Sequence, residues 1–306
     1  MRTDLDHLPE RKQRELERIL EILHEEFEDA LAVGAAEWKK RGRILKIIMF
    51  GSHARGTWVD EPHTTKGYRS DFDLLIVVNN RKLTEYETYW YKAADRLLRD
   101  RGVKTPVSFI VHSRREVNEA LHKGQYFFSD IRNDGIVLYE LDNEPLAEPS
   151  PLSTKEAYKI AREHFEDRMP QAQGFLKGFH FYLSESNRKL AAFVLQQAVE
   201  QAYTTLLLTL TNYSPPSHNI KFLRSLAEGQ NRSLAAAWPR DTQRDRAWFN
   251  RLSEAYVKAR YSKQYAITEE ALHWLGERVA FLHKLVDDAC QKHLAQLRAE
   301  AGIRRD

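Results

Sequence analysis

The chain has 306 residues, 42% of them hydrophobic and 30% charged, which is an ordinary globular composition with room for two domains. Its 47 basic and 44 acidic residues nearly balance, so the net charge of +3 gives no argument for a nucleic-acid-binding protein. The single cysteine, Cys290, excludes an intrachain disulfide, and no apolar run is long enough for a membrane span or a signal peptide, so we expect a cytoplasmic protein with no membrane partner.

The first half of the chain alternates helical and strand patterns. Residues 10–40 place apolar side chains at helical spacing and predict an amphipathic helix. Four short apolar segments predict strands: RILKIIMFGS, SDFDLLIVV, TPVSFIVHS and DGIVLYE. Further helices are predicted over residues 84–100 and 114–124. This alternation indicates helices packed on a small sheet.

The second half begins after a proline-rich stretch. Residues 141–153 carry three prolines and are predicted to be a linker between a first domain, residues 1–140, and a second, residues 154–306. Ser153 and Glu156 form a capping-box pattern that opens a helix. Other helices are predicted over residues 185–212, from Ser217 or Asn219 onward, and over residues 244–261 and 268–298. With no strand pattern, the second half reads as an all-α bundle.

Two aspartates, Asp71 and Asp73, stand at the start of the second predicted strand. Side chains two residues apart on a strand project to the same face, so the two carboxylates are expected to lie together. They repel each other, and leaving them unpaired near an apolar sheet is costly. A divalent cation relieves this cost, and Mg²⁺ favours one or two carboxylates together with water and substrate phosphates. The pair therefore predicts a Mg²⁺ or Mn²⁺ site for phosphoryl or nucleotidyl transfer.

Gly51 and Ser52, directly after the first predicted strand, supply a complementary feature. Glycine lets the backbone approach a phosphate closely, Ser52 adds a hydroxyl donor, and Arg55 adds a fixed positive charge. The segment HARG would begin a helix whose free N–H groups favour an anion. Taken alone, a Gly-Ser step is most often a turn and an Asp-x-Asp pair is most often solvated. Their combination on successive strands predicts a phosphate clamp beside a metal clamp.

This combination supports a family resemblance. GSHARG at residues 51–56, followed by SDFD at residues 70–73, resembles the signature of the DNA polymerase β-like nucleotidyltransferase superfamily, and most closely its minimal nucleotidyltransferases. The resemblance spans roughly residues 40–140, and the loop over residues 57–69 is longer than in the smallest members, so it is expected to gate the site or contact a substrate. By this resemblance, the nucleotide-binding residues are Gly51, Ser52, Arg55 and Ser70, and the catalytic, metal-holding residues are Asp71 and Asp73.

One position departs from this family pattern. The superfamily usually places a third carboxylate on the following strand, as general base and metal ligand, and the equivalent position here holds Ser108. His112 lies on the same strand face but about 13 Å further along, and Glu116 is just beyond it. Either can substitute only if the geometry allows. The departure leaves three alternatives open: a slow enzyme, an enzyme that borrows a base from elsewhere, or a nucleotide-binding module without turnover.

The helical half resembles a HEPN domain through KLAAFVLQQAVEQAYTTLLLTLTNYSPPSHNIKFL and AYVKARYSKQYAITEE. The whole chain resembles the fused nucleotidyltransferase and HEPN proteins of prokaryotes, relatives of two-gene toxin–antitoxin pairs. In those pairs the HEPN protein is a ribonuclease, and the nucleotidyltransferase silences it by adding nucleotides to a tyrosine. The resemblance implies an α+β fold and transfer of AMP from ATP to a hydroxyl acceptor.

HEPN ribonucleases usually carry Arg-x4-6-His, in which the arginine positions the scissile phosphate and the histidine moves a proton. Here Arg260 is followed by Tyr265 at this spacing, and no histidine lies within six residues. By resemblance Arg260 binds an anion, and Tyr265 is the modifiable tyrosine or a packing residue. His218 either caps or packs at a helix start or contributes to ligand binding. RNA cleavage ranks third, after nucleotidyl transfer and nucleotide binding without turnover.

The predicted helix over residues 190–210 is apolar around much of its circumference. Burial against a second copy of the chain is the simpler explanation for such a helix in a small bundle. The HEPN resemblance points the same way. We therefore predict a homodimer formed through residues 155–300.

Overall fold

The structure of the chain is a computed structural model. It describes residues 1–32, 36–60 and 70–303. These residues divide into two compact units, the first ending at Pro151 and the second beginning at Leu152. The first unit combines a four-stranded sheet with helices, whereas the described part of the second unit contains helices and no strand. This confirms the predicted α+β fold class.

All four predicted strands are present in the first unit. They are β1 (Ile44–Phe50), β2 (Phe72–Val78), β3 (Val107–Ser113) and β4 (Ile136–Glu140). The helices are α1 (Glu10–Ala32), α2 (Glu37–Lys40), α3 (Gly51–Ala54), α4 (Tyr86–Tyr89), α5 (Tyr91–Arg99), α6 (Arg114–His122) and α7 (Tyr126–Asp134), with a 3₁₀ turn over Arg81–Thr84.

Two of the predicted helices in this unit were wrong in extent. The helix predicted over residues 10–40 ends at Ala32, residues 33–35 lie outside the described chain, and Ala36 is extended with ψ 127°. The helix predicted over residues 84–100 is interrupted at Trp90, whose buried indole donates a hydrogen bond to the Leu83 carbonyl. Helix α7 was not predicted, because its aromatic start has weak helix propensity and shows no clear apolar period.

The sheet register brings the predicted site residues together. The strand order is β3-β2-β1-β4, with β1 antiparallel to both β2 and β4 and with β2 parallel to β3. Asp73 is paired with Phe50 on one side and with Ser108 on the other. Consequently the end of β1 and the starts of β2 and β3 meet at one place in the sheet.

The core of this unit lies on both faces of the sheet. Every residue of β1 and β2 is buried, as expected for strands covered on both sides. Ile47 and Met49 of β1 share a hydrophobic cluster with Leu16 and Ile19 of α1. On the opposite face, Phe50 packs edge-on against Phe127 of α7, with 5.4 Å between ring centroids. The sheet that carries the site is therefore covered on both faces.

The second unit is a helical bundle in its described part. Its helices are α8 (Thr154–Ser184), α9 (Arg188–Thr211), α10 (Ile220–Gln230), α11 (Gln243–Ser253), α12 (Ala255–Tyr261) and α13 (Glu269–Glu300), with a 3₁₀ segment over Arg232–Ala237. The predicted capping box of Ser153 and Glu156 opens α8, and Asn219 caps α10. The helix predicted over residues 244–261 is two helices that meet at Glu254.

Helix α9 corrects the argument for a homodimer. It is apolar around much of its circumference, as the sequence indicated, but its apolar residues are buried within one chain against α8, α10, α12 and α13. Its composition therefore requires no partner, and the homodimer through residues 155–300 stays a prediction without that support. Among the helices of the described chain, none combines the length and apolar character needed to cross a bilayer.

Candidate active site

The turn after β1 requires glycine for two reasons. Gly51 has a positive φ of 73°, which L side chains rarely adopt. In addition, a Cβ atom at this position would lie 2.4 Å from the Asp73 Oδ2 atom. Any side chain would therefore have to displace the Asp73 carboxylate. The helix predicted to begin here is a single turn, α3, so the backbone itself and not a long helix lies beside the carboxylate.

Asp73 is buried without full hydrogen-bond satisfaction. Its relative exposure is 8%, and the Oδ1 atom has no hydrogen-bond partner in the described chain. Burial raises the pKa of Asp73 well above its usual value, the neighbouring Asp71 charge raises it further, and the Arg55 charge opposes both effects. An unpartnered, buried carboxylate oxygen of this kind is a position that a cation would stabilise.

Ser108 occupies the place where a third carboxylate was expected. It is the register partner of Asp73 on β3, and its hydroxyl donates a 3.1 Å hydrogen bond to Asp71 Oδ2. His112 is paired four residues further along, with Val77, and the Glu116 carboxylate accepts from the Ser113 backbone and hydroxyl in the α6 capping box. Thus neither alternative joins the aspartates. Within the described residues, no group of three or more His, Cys, Asp or Glu side chains is arranged to hold a metal.

Two carboxylates and an orphaned oxygen nevertheless fit a hard divalent cation. Mg²⁺ and Mn²⁺ prefer oxygen ligands, and Mg²⁺ keeps several waters, so a pair of protein carboxylates is an adequate donor set. Asp71 and Asp73 would hold such an ion, and the substrate phosphates would complete its coordination.

The predicted phosphate-binding side chains lie around the same turn. No described residue bonds to the Ser52 hydroxyl, and the Ser52 carbonyl accepts from the Thr57 N–H at 2.9 Å. Arg55 is exposed and forms no ion pair with a described residue, although its charge partly offsets the rise in the pKa of Asp73 and of Asp130. The Ser52 hydroxyl and the Arg55 guanidinium therefore have donors to spare for an anion.

Ser70 is hydrogen-bonded to Val59 across the base of the loop that joins the two halves of the motif. It is 4% exposed, its hydroxyl accepts from the Val59 N–H at 3.0 Å, and its own N–H donates to the Val59 carbonyl at 2.8 Å. Its predicted role in nucleotide binding stays a prediction. The expectation that the loop over residues 57–69 gates the site falls largely on residues 61–69, which lie outside the described chain.

Sequence reasoning missed two residues near this turn. His53 lies inside the GSHARG motif, between Ser52 and Ala54, but was treated as a spacer in the sequence pattern. Asp130 lies on the unpredicted helix α7, and partial desolvation followed by the nearby Asp134 carboxylate raises its pKa, while Arg55 lowers it. The Arg55 charge therefore acts on two carboxyl groups, those of Asp73 and Asp130.

The two residues predicted for a groove in the helical unit differ in exposure. Arg260 is exposed, and its guanidinium lies 4.2 Å from the centre of the Tyr256 ring. Tyr265 is only 3% exposed, and its hydroxyl donates a 3.0 Å hydrogen bond to the Arg251 carbonyl. Burial raises the pKa of the Tyr265 phenol. In this structure Tyr265 packs in the core, which is the second of the two roles foreseen for it.

A histidine from another element lies beside the same ring. The His218 imidazole stacks on Tyr256 with 3.9 Å between centroids, and its Nδ1 atom is 3.1 Å from both Glu200 carboxylate oxygens. Gln197 donates a 2.9 Å hydrogen bond to Glu200 and fixes its orientation. Tyr256 thus brings His218 and Arg260 together. Glu200 and Tyr256 were not predicted as site residues, because the sequence patterns of α9 and α12 indicate helices that pack in the bundle.

The raised pKa of Asp73 gives a stability prediction. A carboxyl whose pKa is raised in the folded state stabilises the fold fully below its unfolded pKa, and this contribution is lost as pH rises through the folded pKa. In metal-free protein, Asp73→Asn should therefore raise the free energy of unfolding at pH 8 by about 1–3 kcal/mol, with a much smaller gain at pH 4. Denaturant melts with EDTA at both pH values measure this difference.

The exposed residue Asp6 provides the matched control for that experiment. Asp6→Asn removes the same charge from a solvated position and should leave the free energy of unfolding unchanged at either pH. If Asp73→Asn gained no more at pH 8 than at pH 4, the ionised carboxylate would not be the source of the destabilisation.

Comparisons with known proteins agree with this division of the chain. A family described as "Nucleotidyltransferase domain" matches residues 34–137, and one described as "HEPN domain" matches residues 165–288. The chain is also similar to a protein of Methanocaldococcus jannaschii that is provisionally named a protein adenylyltransferase, with 35% identity over 107 residues. That alignment covers 90% of the relative but 35% of this chain, so the likeness concerns one domain.

Proposed function

Because the chain belongs to the family of proteins that join a nucleotidyltransferase domain to a HEPN domain, we propose that it transfers AMP from ATP to a hydroxyl acceptor. The observation that carries this proposal is the apposition of the Gly51 turn to the buried Asp73, whose Oδ1 atom has no partner among the described residues. The similarity to a protein named as an adenylyltransferase supports ATP as the donor and a protein as the acceptor.

The proposed reaction uses the two halves of the site separately. Ser52 and Arg55 bind and orient the triphosphate, and Asp71 and Asp73 would hold Mg²⁺ or Mn²⁺, which when bound neutralises phosphate charge. The acceptor oxygen forms a bond to the α-phosphorus, the bond between α-phosphorus and the bridging oxygen breaks, and pyrophosphate leaves. The acceptor proton passes to solvent, since Ser108 is no base at neutral pH. We therefore expect slow turnover.

Pyrophosphate release tests this proposal. The purified chain is incubated with Mg²⁺ or Mn²⁺ and each of the four NTPs labelled at the α-phosphate. Release of pyrophosphate with ATP, together with α-label on protein, supports adenylyl transfer. Saturable binding of ATP without any release would favour the alternative, a regulatory module that binds nucleotide without turnover.

We further propose that the acceptor is a tyrosine of the chain's own helical domain or that of a second copy, so that modification silences the HEPN domain as in a toxin–antitoxin pair. Tyr265 is buried, whereas Tyr261 is 75% exposed and its ring lies 5.0 Å from the Arg260 guanidinium. Among the two, Tyr261 is the better acceptor, because an exposed hydroxyl can reach an active site without local unfolding. A cytoplasmic homodimer is the setting that suits this regulation.

RNA cleavage by the helical domain is the second candidate function, and one observation favours it. A carboxylate can only accept a hydrogen bond, so His218 Nδ1 donates to Glu200, and Nε2 is the ring atom left to act as a base. Arg260 lies on the same Tyr256 ring and can bind a phosphate. His218, which precedes α10, would therefore take the role of the histidine that is missing after Arg260.

If this second function holds, single-stranded RNA should be cleaved, and His218→Ala should slow cleavage by about 10²–10⁴-fold, the usual contribution of a general base. The matched control is His273→Ala, which removes an exposed histidine also paired with a glutamate, Glu269, at 3.9 Å. DNA of the same sequence should stay intact, since it lacks the 2′-hydroxyl that the base would activate. Equal cleavage by wild type and His218→Ala would assign the activity elsewhere.

A further inference from the structure

We propose that His53 is a positioning residue that couples the phosphate-binding turn to the metal-binding Asp71. This inference rests on the proposed function, because it concerns the same site. His53 lies in the GSHARG motif between Ser52 and Arg55, and its side chain is fully buried. It therefore cannot contact a nucleotide directly, and its part in the site must be exerted through its neighbours.

The coupling is a hydrogen bond between the two halves of the motif. His53 Nδ1 lies 2.8 Å from the Asp71 carbonyl oxygen. A carbonyl can only accept, so Nδ1 carries the proton and donates. The Nε2 atom is buried and has no hydrogen-bond partner in the described chain. The donated bond is therefore the polar contact that fixes the orientation of this ring.

Asp71 needs such a support because it stands outside the sheet. β2 begins at Phe72, so the ladder of strand hydrogen bonds does not include Asp71. The His53 ring fixes its carbonyl, and Ser108 bonds to its carboxylate from the other side. Each of these two contacts restrains Asp71, one at its main chain and one at its carboxylate.

The surroundings keep His53 neutral and in place. The ring stacks parallel to Trp58, with an interplanar angle of 3°, and lies 4.4 Å from the Phe72 ring centroid. Burial, and then the nearby Lys12 ammonium, lower the pKa of His53 to about 4. The ring therefore keeps one protonation state throughout the neutral range, and the hydrogen bond to Asp71 does not switch off there.

The backbone of the same turn is held from the opposite side by the start of the chain. His7 Nε2 donates to the His53 carbonyl at 2.8 Å, and Arg2 donates to the Ala54 carbonyl. Arg2 is itself fixed to the sheet, because its carbonyl accepts from the Val137 N–H at 2.9 Å. The turn is thus held at the carbonyls of α3, and the His53 side chain links this held backbone to the Asp71 carbonyl.

Two variants separate the donated hydrogen bond from the packing of the ring. His53→Asn keeps an amide N–H donor near the position of Nδ1 but loses the ring, whereas His53→Phe keeps a ring but loses the donor. Binding of Mn²⁺ to the protein in the presence of a non-hydrolysable ATP analogue is measured by electron paramagnetic resonance, which needs no turnover. We expect His53→Phe to weaken Mn²⁺ binding at least tenfold and His53→Asn to stay within threefold of wild type.

His283→Ala is the matched control for burial. His283 is also buried and also bonds to a main-chain carbonyl, that of Ala198 at 3.1 Å, but it lies in the helical unit. It should lower thermal stability and leave Mn²⁺ affinity unchanged. Equal Mn²⁺ affinity for wild type and His53→Phe, or a weaker affinity for His53→Asn than for His53→Phe, would overturn the inference while leaving the proposed function intact. Failure of wild type to bind Mn²⁺ would overturn both.

Discussion

Replacing both Asp71 and Asp73 by asparagine should lower the rate of nucleotidyl transfer by about 10³-fold or more, equivalent to roughly 4 kcal/mol of transition-state stabilisation. Asparagine keeps the size and one carbonyl oxygen of each side chain but removes both negative charges that would hold the divalent cation. The fold should be intact, because Asp73 is destabilising when ionised and buried without a partner for Oδ1 in the described chain. Pyrophosphate release and circular dichroism of the double variant measure the two effects.

The chain contains its own control for this experiment. Asp4 and Asp6 form an Asp-Leu-Asp sequence with the same spacing as the site aspartates, and both are exposed. The double change Asp4→Asn/Asp6→Asn removes the same two charges and should leave the transfer rate within twofold of wild type. Persistence of transfer in the Asp71→Asn/Asp73→Asn variant would show that the reaction takes place somewhere else.

The sheet and the motif were predictable because each depends on short-range sequence. β1 and β2 are apolar runs that stay buried on both faces, and such runs are recognisable without knowing their neighbours. The motif follows the strands directly, so the position of Gly51 at the end of β1 and of Asp73 at the start of β2 came from the order of residues. The family resemblance also pointed to Ser108 on the third strand, and the structure pairs Ser108 with Asp73.

What the sequence did not predict depends on tertiary contacts. The break at Trp90 arises because burying the indole against the Leu83 carbonyl outweighs helix continuity. The link from His53 to the Asp71 carbonyl joins residues that are 18 positions apart through a side chain that looks like a spacer. Neither contact has a periodic signature, so pattern reading could not find it.

In the helical unit, too, the sequence did not predict which side chains are exposed. Arg260 and Tyr265 were predicted to share a groove because they fit a family spacing. In the structure α12 ends at Tyr261, so Tyr265 lies beyond the helix and turns into the core. The Arg-x4-Tyr spacing therefore assumed that one helix runs from Arg260 to Tyr265, but α12 ends at Tyr261. His218 and Arg260 contact the same Tyr256 ring from different elements, which no spacing rule along one segment can show.

Changing Tyr261 to phenylalanine should abolish self-labelling by ATP, whereas changing Tyr265 should leave it unchanged. An acceptor hydroxyl must enter the active site and lose its proton, and burial opposes both steps for Tyr265 by raising its pKa. Tyr261 is 75% exposed, and the adjacent Arg260 guanidinium would pair with the phosphate that is added. Exposure and a neighbouring cation therefore both favour Tyr261.

Cleavage after lysine separates the two tyrosines for mass spectrometry, because Lys258 and Lys263 place Tyr261 in the peptide ARYSK and Tyr265 in the next. A mass increase of one AMP on ARYSK identifies the acceptor directly. Tyr91→Phe is the control for exposure alone, since Tyr91 is 50% exposed but lies in the other unit. Label that survived Tyr261→Phe and disappeared with Tyr265→Phe would mean that the bundle opens around Tyr265 during the reaction. The acceptor would then be selected by local unfolding of the segment after α12, and not by its exposure in the folded chain.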